Sequence, residues 1–304
     1  MKKIISLILL FALLGCTTKK EVDDIGIRVI SPKGSPAISV LNYATNNQDL
    51  VKFVDGPDLL QAAFVSPNSE YDVIVAPINL GAKLLELKKS EYKLASIVTW
   101  GNLYIVGEEM DGKLAAFGQS SVPGLLLEKA ISLGKIDAEV QYFNSKFDAA
   151  TYLLNGDVKR ALLPYPDAYT TIKKSKEIDP TSSIKVLGDL QEMLSEEFGG
   201  YGYPQAAIFI KQSFYESHSE AVDKFLKDIE EYCTNLTSEI LSENLNTISF
   251  DEVGMPKLEI NELNEIYKLM NVEYKEAFSE KDKVDAFLKE FGIKISDEDY
   301  LFNK

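Results

Sequence analysis

Four times along this chain an apolar strand-like run ends in a short polar turn and then opens a helical pattern. The turns read SPKGSP (31–36), PIN (77–79), GQSSVP (118–123) and PYPD (164–167). A strand that feeds a helix cannot pair with its successor as a hairpin. The helix must cross over, and the next strand then lies parallel. The run YDVIVA (71–76) has the continuous apolar character of a parallel strand buried on both faces. The repetition therefore constrains the chain to an α/β fold built on parallel strands.

The rest of the pattern extends this reading. Strands are expected at 25–31, 51–54, 71–76 and, as one long run, 95–107; helices at 37–45, 58–65 and 80–89. After a charged turn at 108–112 a second set begins. Strands at 113–117, 139–143, 160–163 and 185–189 alternate with helices at 125–133, 147–155 and 168–176. A Gly- and aromatic-rich loop (198–205) leads to a strand at 206–211, and helices dominate beyond it. We expect two lobes, 25–109 with 205–304 and 110–204, joined by crossings at 108–112 and 199–205. Two such linkers permit closure over a ligand. One continuous doubly wound sheet satisfies the same spacing.

The first 24 residues are of another kind. Lys2 and Lys3 precede an apolar stretch, 4–14, too short for the ~20 residues of a membrane span. It fits a secretory signal, here residues 1–15. The ending Leu13, Leu14, Gly15, Cys16 resembles a bacterial lipobox, in which Cys16 carries the lipid, and 16–24 reads as a polar tether. This places the mature chain on the outer side of the cell membrane.

Composition removes several functions. The net charge of −15 argues against nucleic acid, which needs a basic footprint. The second cysteine, Cys233, has no partner in the mature chain, so stability must come from an apolar core. No phosphate-binding loop, dinucleotide fingerprint or nucleophile elbow is present. The single histidine, His218, sits in a polar ESHSE stretch expected at a helix start. Neither a His-based triad nor a His/Cys metal set has its ligands. We therefore expect no enzyme, cofactor or metal.

Ligands of open α/β sheets collect where strands end and helices begin. Ser, Asn, Asp and Pro are also ordinary helix-capping residues, which is the plain alternative for each turn. Taken together, the turns offer Ser35 and Asn79 from one lobe and Ser120 and Ser121 from the other. Gln119 and Asp167 can read a polar edge, and Trp100, Tyr165 and Tyr201 can wall or stack on a ring. The two arginines, Arg28 and Arg160, lie in strands rather than turns. A small dianion would want a guanidinium fork, so an aromatic or heterocyclic ligand is preferred to an alkanesulfonate held by helix ends and Lys33.

Several segments carry a resemblance: YDVIVAPINLGAKLL (71–85), GKLAAFGQSSVPGLLLEKAI (112–131), ALLPYPDAYTTIKK (161–174), QAAIFIKQSFYESHSEAVDKFL (205–226) and NVEYKEAFSEKDKVDAFLKEFG (271–292). In order and spacing the chain resembles solute-binding lipoproteins of ABC importers, in the branch handling nitrate, sulfonates and thiamine precursors. The resemblance implies the two-lobed type II periplasmic-binding architecture with C-terminal helices. It also implies permease and ATPase partners and a small-molecule ligand whose identity it leaves open; we expect a monomer and, as ligand, an aromatic or heterocyclic compound such as a thiamine pyrimidine precursor.

Overall fold

The computed structural model describes residues 25–303. The signal, Cys16 and the tether lie outside them. The first part of the chain runs β1 (Val29–Pro32), α1 (Ser35–Ser39), α2 (Leu41–Asn46), β2 (Val51–Val54), α3 (Asp58–Val65), β3 (Val73–Pro77), α4 (Ile78–Glu86) and β4 (Tyr92–Thr99). Next come β5 (Leu103–Gly107), β6 (Lys113–Phe117), α5 (Val122–Ser132), β7 (Glu139–Phe143), α6 (Lys146–Leu154), β8 (Arg160–Pro164), α7 (Asp167–Ile178), β9 (Lys185–Asp189) and α8 (Leu190–Met193). The chain ends with β10 (Ala206–Lys211), α9 (Gln212–Thr234), α10 (Ser238–Ile248), α11 (Ile260–Ile266), β11 (Val272–Glu276) and α12 (Lys281–Lys289).

These strands make two sheets. The first has the order β11-β4-β10-β3-β1-β2 and the second β7-β6-β8-β5-β9. In the first, β1 lies parallel to both β2 and β3, while β10 returns antiparallel between β3 and β4. In the second, β6 lies parallel to β7 and β8, and β5 runs antiparallel to β8 and β9. The apolar runs expected as buried strands are buried: Val73, Ile74, Val75 and Ala76 are wholly covered, as are Ala207, Ile208, Phe209 and Ile210. On α9, Val222, Phe225, Leu226, Ile229, Tyr232 and Cys233 recur at helical spacing and all face the core. Each large side chain buried this way contributes about 1.5–3 kcal/mol. Gly81 lets α4 settle on β10, because a Cβ there would lie 2.2 Å from the Phe209 ring.

Three expectations need correction. The run at 95–107 is two strands in different sheets, broken at Trp100, Gly101 and Asn102. Gly101 takes a φ of 79°, and a Cβ would meet the Tyr203 ring at 2.7 Å. The chain therefore leaves the first sheet at 100–102, and the turn at 108–112 joins β5 to β6 within the second sheet. Residues 103–109 go with the second sheet, not the first. The C-terminal part is not purely helical, since β11 pairs antiparallel with the edge of β4. His218 stands at a kink (φ −140°, ψ 39°) that divides α9, so the helical stretch after it starts at 219 as expected, with a further turn before it; its ring lies against Phe214.

Candidate functional site

A cavity of about 880 Å³ opens between the two sheets. One wall comes from the ends of β1 and β3 and the starts of α3 and α4: Pro32, Lys33, Pro36, Pro57, Leu60, Asn79 and Leu80. The other comes from Ser120, Ser121, Val122, Pro123 and Leu125 at the start of α5. Gln205, at the foot of β10, and Phe291, beyond α12, complete it. Lys33 and Gly56 also border a second chamber of about 520 Å³, which Lys146, Asp167 and Thr170 line from the other sheet.

The capping alternative can be tested at each turn. α6, α8 and α10 are capped by the side chains of Ser145, Asp189 and Thr237. None of α1, α4, α5 and α7 has a side-chain cap. Ser121 shows why. Gly118, with φ 65°, turns the chain so that the Ser121 hydroxyl donates back to the Gly118 carbonyl at 3.0 Å. The start of α5, lining the cavity through Val122 and Pro123, is left without a side-chain acceptor. Backbone carbonyls meet helix-start N–H groups instead: Gly124 N–H of α5 donates to the Gly118 carbonyl at 3.1 Å, and Ile78 N–H of α4 donates to the Gln205 carbonyl.

The cavity holds little free charge. Lys33 pairs with Asp55 at 3.0 Å, Lys83 with Glu86 at 2.6 Å and Glu290 with Lys129 at 3.2 Å. Two amides remain. The Oδ1 of Asn79 and the Oε1 of Gln205 accept no hydrogen bond among the described residues. A backbone bond joins their segments, Ile78 N–H to Gln205 C=O at 3.0 Å. An uncommitted amide can turn either its donor or its acceptor end to a ligand.

Asn79, Ser120 and Ser121 are thus brought together, across the cavity from one another. Asp167 lines the second chamber, ion-paired with Lys146 at 2.7 Å. The remaining expected residues stand elsewhere. Gln119 is exposed on the rim turn. Ser35 is buried at the start of α1, bonded to Asn102 and Tyr165. Tyr165 is buried edge-on to Tyr104 at 4.7 Å instead of facing the cavity. Trp100 and Tyr201 line a different pocket, of about 330 Å³, at the crossings. There the Trp100 indole N–H donates to the Glu273 carbonyl, and the Tyr201 hydroxyl meets Asp189 at 3.0 Å. The expected aromatic wall is therefore absent from the main cavity, and Phe291 is the ring that lines it. Burial pushes the phenols of Tyr104, Tyr165, Tyr201 and Tyr203 up, so they stay neutral donors at physiological pH.

The arginines also stand outside the cavity. Arg28 pairs with Glu70 at the surface at 3.1 Å. Arg160 is fully buried and donates to the carbonyls of Met110, Gly112 and Asp137. Sequence reasoning missed Gln205, Asn102 and the apolar pair Leu60 and Leu80. Gln205 follows the Gly-rich loop and directly precedes a strand, which was a usable signal; the apolar pair reads as ordinary core.

No protein-family model matches the chain, and no curated protein matches it. Solved structures do. An ABC transporter protein from Parabacteroides distasonis superposes with a TM-score of 0.70 at 23% identity, over 88% of this chain and 92% of that one. The periplasmic aliphatic sulphonate binding protein of Escherichia coli gives 0.60 at 14%, over 88% and 94%. A Candida albicans protein exhibiting the generic periplasmic binding protein fold gives 0.55 at 13%, over 90% and 93%. The chain has the periplasmic-binding-protein fold.

Proposed function

We propose that this protein is the extracytoplasmic solute-binding component of an ABC importer, anchored through a lipid on Cys16. It captures a small organic nutrient between its lobes as a monomer and presents it to a permease driven by an ATPase. One observation carries the reading: a cavity of about 880 Å³ is walled by strand ends and helix starts from both sheets, which are linked by two crossings. A site shared by two bodies binds best when they close, so capture and closure are one equilibrium. The fold shared with ABC-importer proteins supports this use of the cavity.

Within that role we favour an uncharged heterocyclic ligand, such as a thiamine pyrimidine precursor. Apolar walls with two uncommitted amides suit a ring bearing N–H groups and ring nitrogens. The ring is held by Leu60, Leu80, Phe291 and the prolines, not by the tryptophan and tyrosines expected from sequence. An alkanesulfonate is the second reading, favoured by the positive dipole ends of α4 and α5 and by Lys33. Thermal unfolding with saturating compounds separates them. A ligand at a hundred times its Kd stabilises the native state by about 2.7 kcal/mol. Aminopyrimidines are expected to raise Tm, and taurine or ethanesulfonate to leave it unchanged. The reverse result selects the second reading, and no shift from either class removes both.

A further inference from the structure

One residue ties both lobes and a crossing together, and the solute-binding reading does not use it. Asn102 lies at the end of the first crossing and is 4% exposed. Its amide N–H₂ donates to the Ser35 hydroxyl at 2.8 Å and to the Tyr165 carbonyl at 3.2 Å. Ser35 starts α1 beside the first sheet, and Tyr165 sits in the β8–α7 turn of the second. The Ser35 hydroxyl itself reaches the Tyr165 carbonyl at 3.4 Å, and the Tyr165 N–H donates to the Asn102 carbonyl at 3.2 Å. Four hydrogen bonds thus meet where the two lobes touch. The neighbours Pro36 and Asp167 belong to the walls of the 880 Å³ and 520 Å³ chambers.

The crossing around Asn102 is held stiffly. Trp100 N–H donates to the Asn271 carbonyl at 2.9 Å, and the Asn271 amide returns to the Gly101 carbonyl at 2.7 Å. Leu103 N–H donates to Gln191 Oε1 at 2.8 Å. With both flanks pinned, Asn102 is fixed beside Tyr165 at the edge of the second sheet, and its amide reaches across to Ser35 of the first lobe. Its grip is incomplete, because Oδ1 is buried and accepts no hydrogen bond among the described residues. Only the two bonds of the Ser35 hydroxyl cross between the lobes, and a stranded acceptor costs about as much as one or two hydrogen bonds return. The junction is therefore close to balance, as a latch that must open again requires.

We infer that Asn102 is a solute-independent latch: it holds the lobes together through Ser35 and Tyr165 before any ligand enters and sets how often the empty cleft opens. This rests on the two-lobed capture reading and adds its regulation. The latch makes a distinction between side chains of similar size. Asn102→Asp keeps the acceptors and loses both donors, so it sets a carboxylate against the Tyr165 carbonyl and shifts the balance toward the open form by at least tenfold. Ser35→Ala removes one recipient and shifts it by about threefold to tenfold.

The test is small-angle X-ray scattering of the full, solute-free protein, paired with the emission of its single tryptophan, Trp100, beside the latch. The expected result is a compact parent. Asn102→Asp is expected to have a larger radius of gyration and shifted emission, and Ser35→Ala to lie between, with circular dichroism unchanged in all three. Identical scattering from a folded Ser35→Ala and the parent overturns the latch, and so does a parent that is already as extended as either variant. If Asn102→Asp fails to fold, Ser35→Ala decides alone. Aminopyrimidine and alkanesulfonate binding are measured on the same samples. Loss of all binding with the scattering order intact removes the capture reading and leaves the latch, whereas binding without the scattering order removes the latch alone.

Discussion

Replacing Arg160 by Met asks whether this chain's buried arginine serves structure or ligand. The guanidinium is fully buried in the second lobe and donates to three backbone carbonyls, two of them in the turn that joins β5 to β6. Hydrogen bonds to a charged group contribute about 1.5–3 kcal/mol each, so three give roughly 5–9 kcal/mol gross. Burying the guanidinium costs several kcal/mol, and burial lowers its pKa for the same reason. The net loss in Arg160→Met is then about 3–5 kcal/mol, because three carbonyls are left unpaired at about 1–3 kcal/mol each while the cost of burying the charge is relieved. Methionine fills much of the stem's volume, so little of this loss is a cavity. Urea unfolding followed by circular dichroism measures it, with the midpoint falling at unchanged slope. Below its unfolding range the variant is expected to bind solute as the parent does. A loss under about 1 kcal/mol, or a folded variant that no longer binds, refutes the structural role.

Three further outcomes follow from the same geometry. Asn79→Leu removes an amide with a buried, unaccepting oxygen; we expect the solute-free protein to gain up to about 1–2 kcal/mol while aminopyrimidine affinity falls at least tenfold, read by calorimetry on one sample. Glu262 has its carboxyl held below the usual 4.5 by the Glu259 backbone N–H and then by Lys173. A depressed acid stabilises the fold above its unfolded pKa and loses that contribution as pH falls through the folded value, so Glu262→Gln should flatten the loss of stability below about pH 4.5. Burial pushes the Cys233 thiol up to about 12, so iodoacetamide at pH 8 should label it only in urea, as peptide mapping would show; labelling of the native chain contradicts its burial.

The alternation of strand and helix was legible because it is local. Apolar runs, turn residues and helical spacing sit within a few positions of one another, as YDVIVA followed by PIN illustrates. The resemblance supplied the two-lobed arrangement that spacing left open. The crossing was not legible, because 95–107 is apolar throughout and only Gly101 marks the break. β11 was missed for the opposite reason: VEYKE is an edge strand with charged side chains outward, and charge reads as helix surface or loop. At the site, the turns brought Asn79, Ser120 and Ser121 to the lining of one cavity. The aromatics did not follow, since Trp100 and Tyr201 belong to the crossings and face the joint at Asn271. Which side a crossing shows to the cleft depends on how the two sheets are mounted, and no local pattern encodes that. The same holds for Ser121, whose hydroxyl turns back to Gly118 where its residue type predicts a cap.

The central claim is that a solute sits between the sheets. Native mass spectrometry of the protein purified from its source cells without dialysis tests it most directly, with the parent beside Leu80→Trp, which fills the cavity. The account predicts one extra small mass at one-to-one stoichiometry on the parent, released on denaturation and missing from Leu80→Trp. A mass retained by Leu80→Trp, or none on the parent, contradicts it.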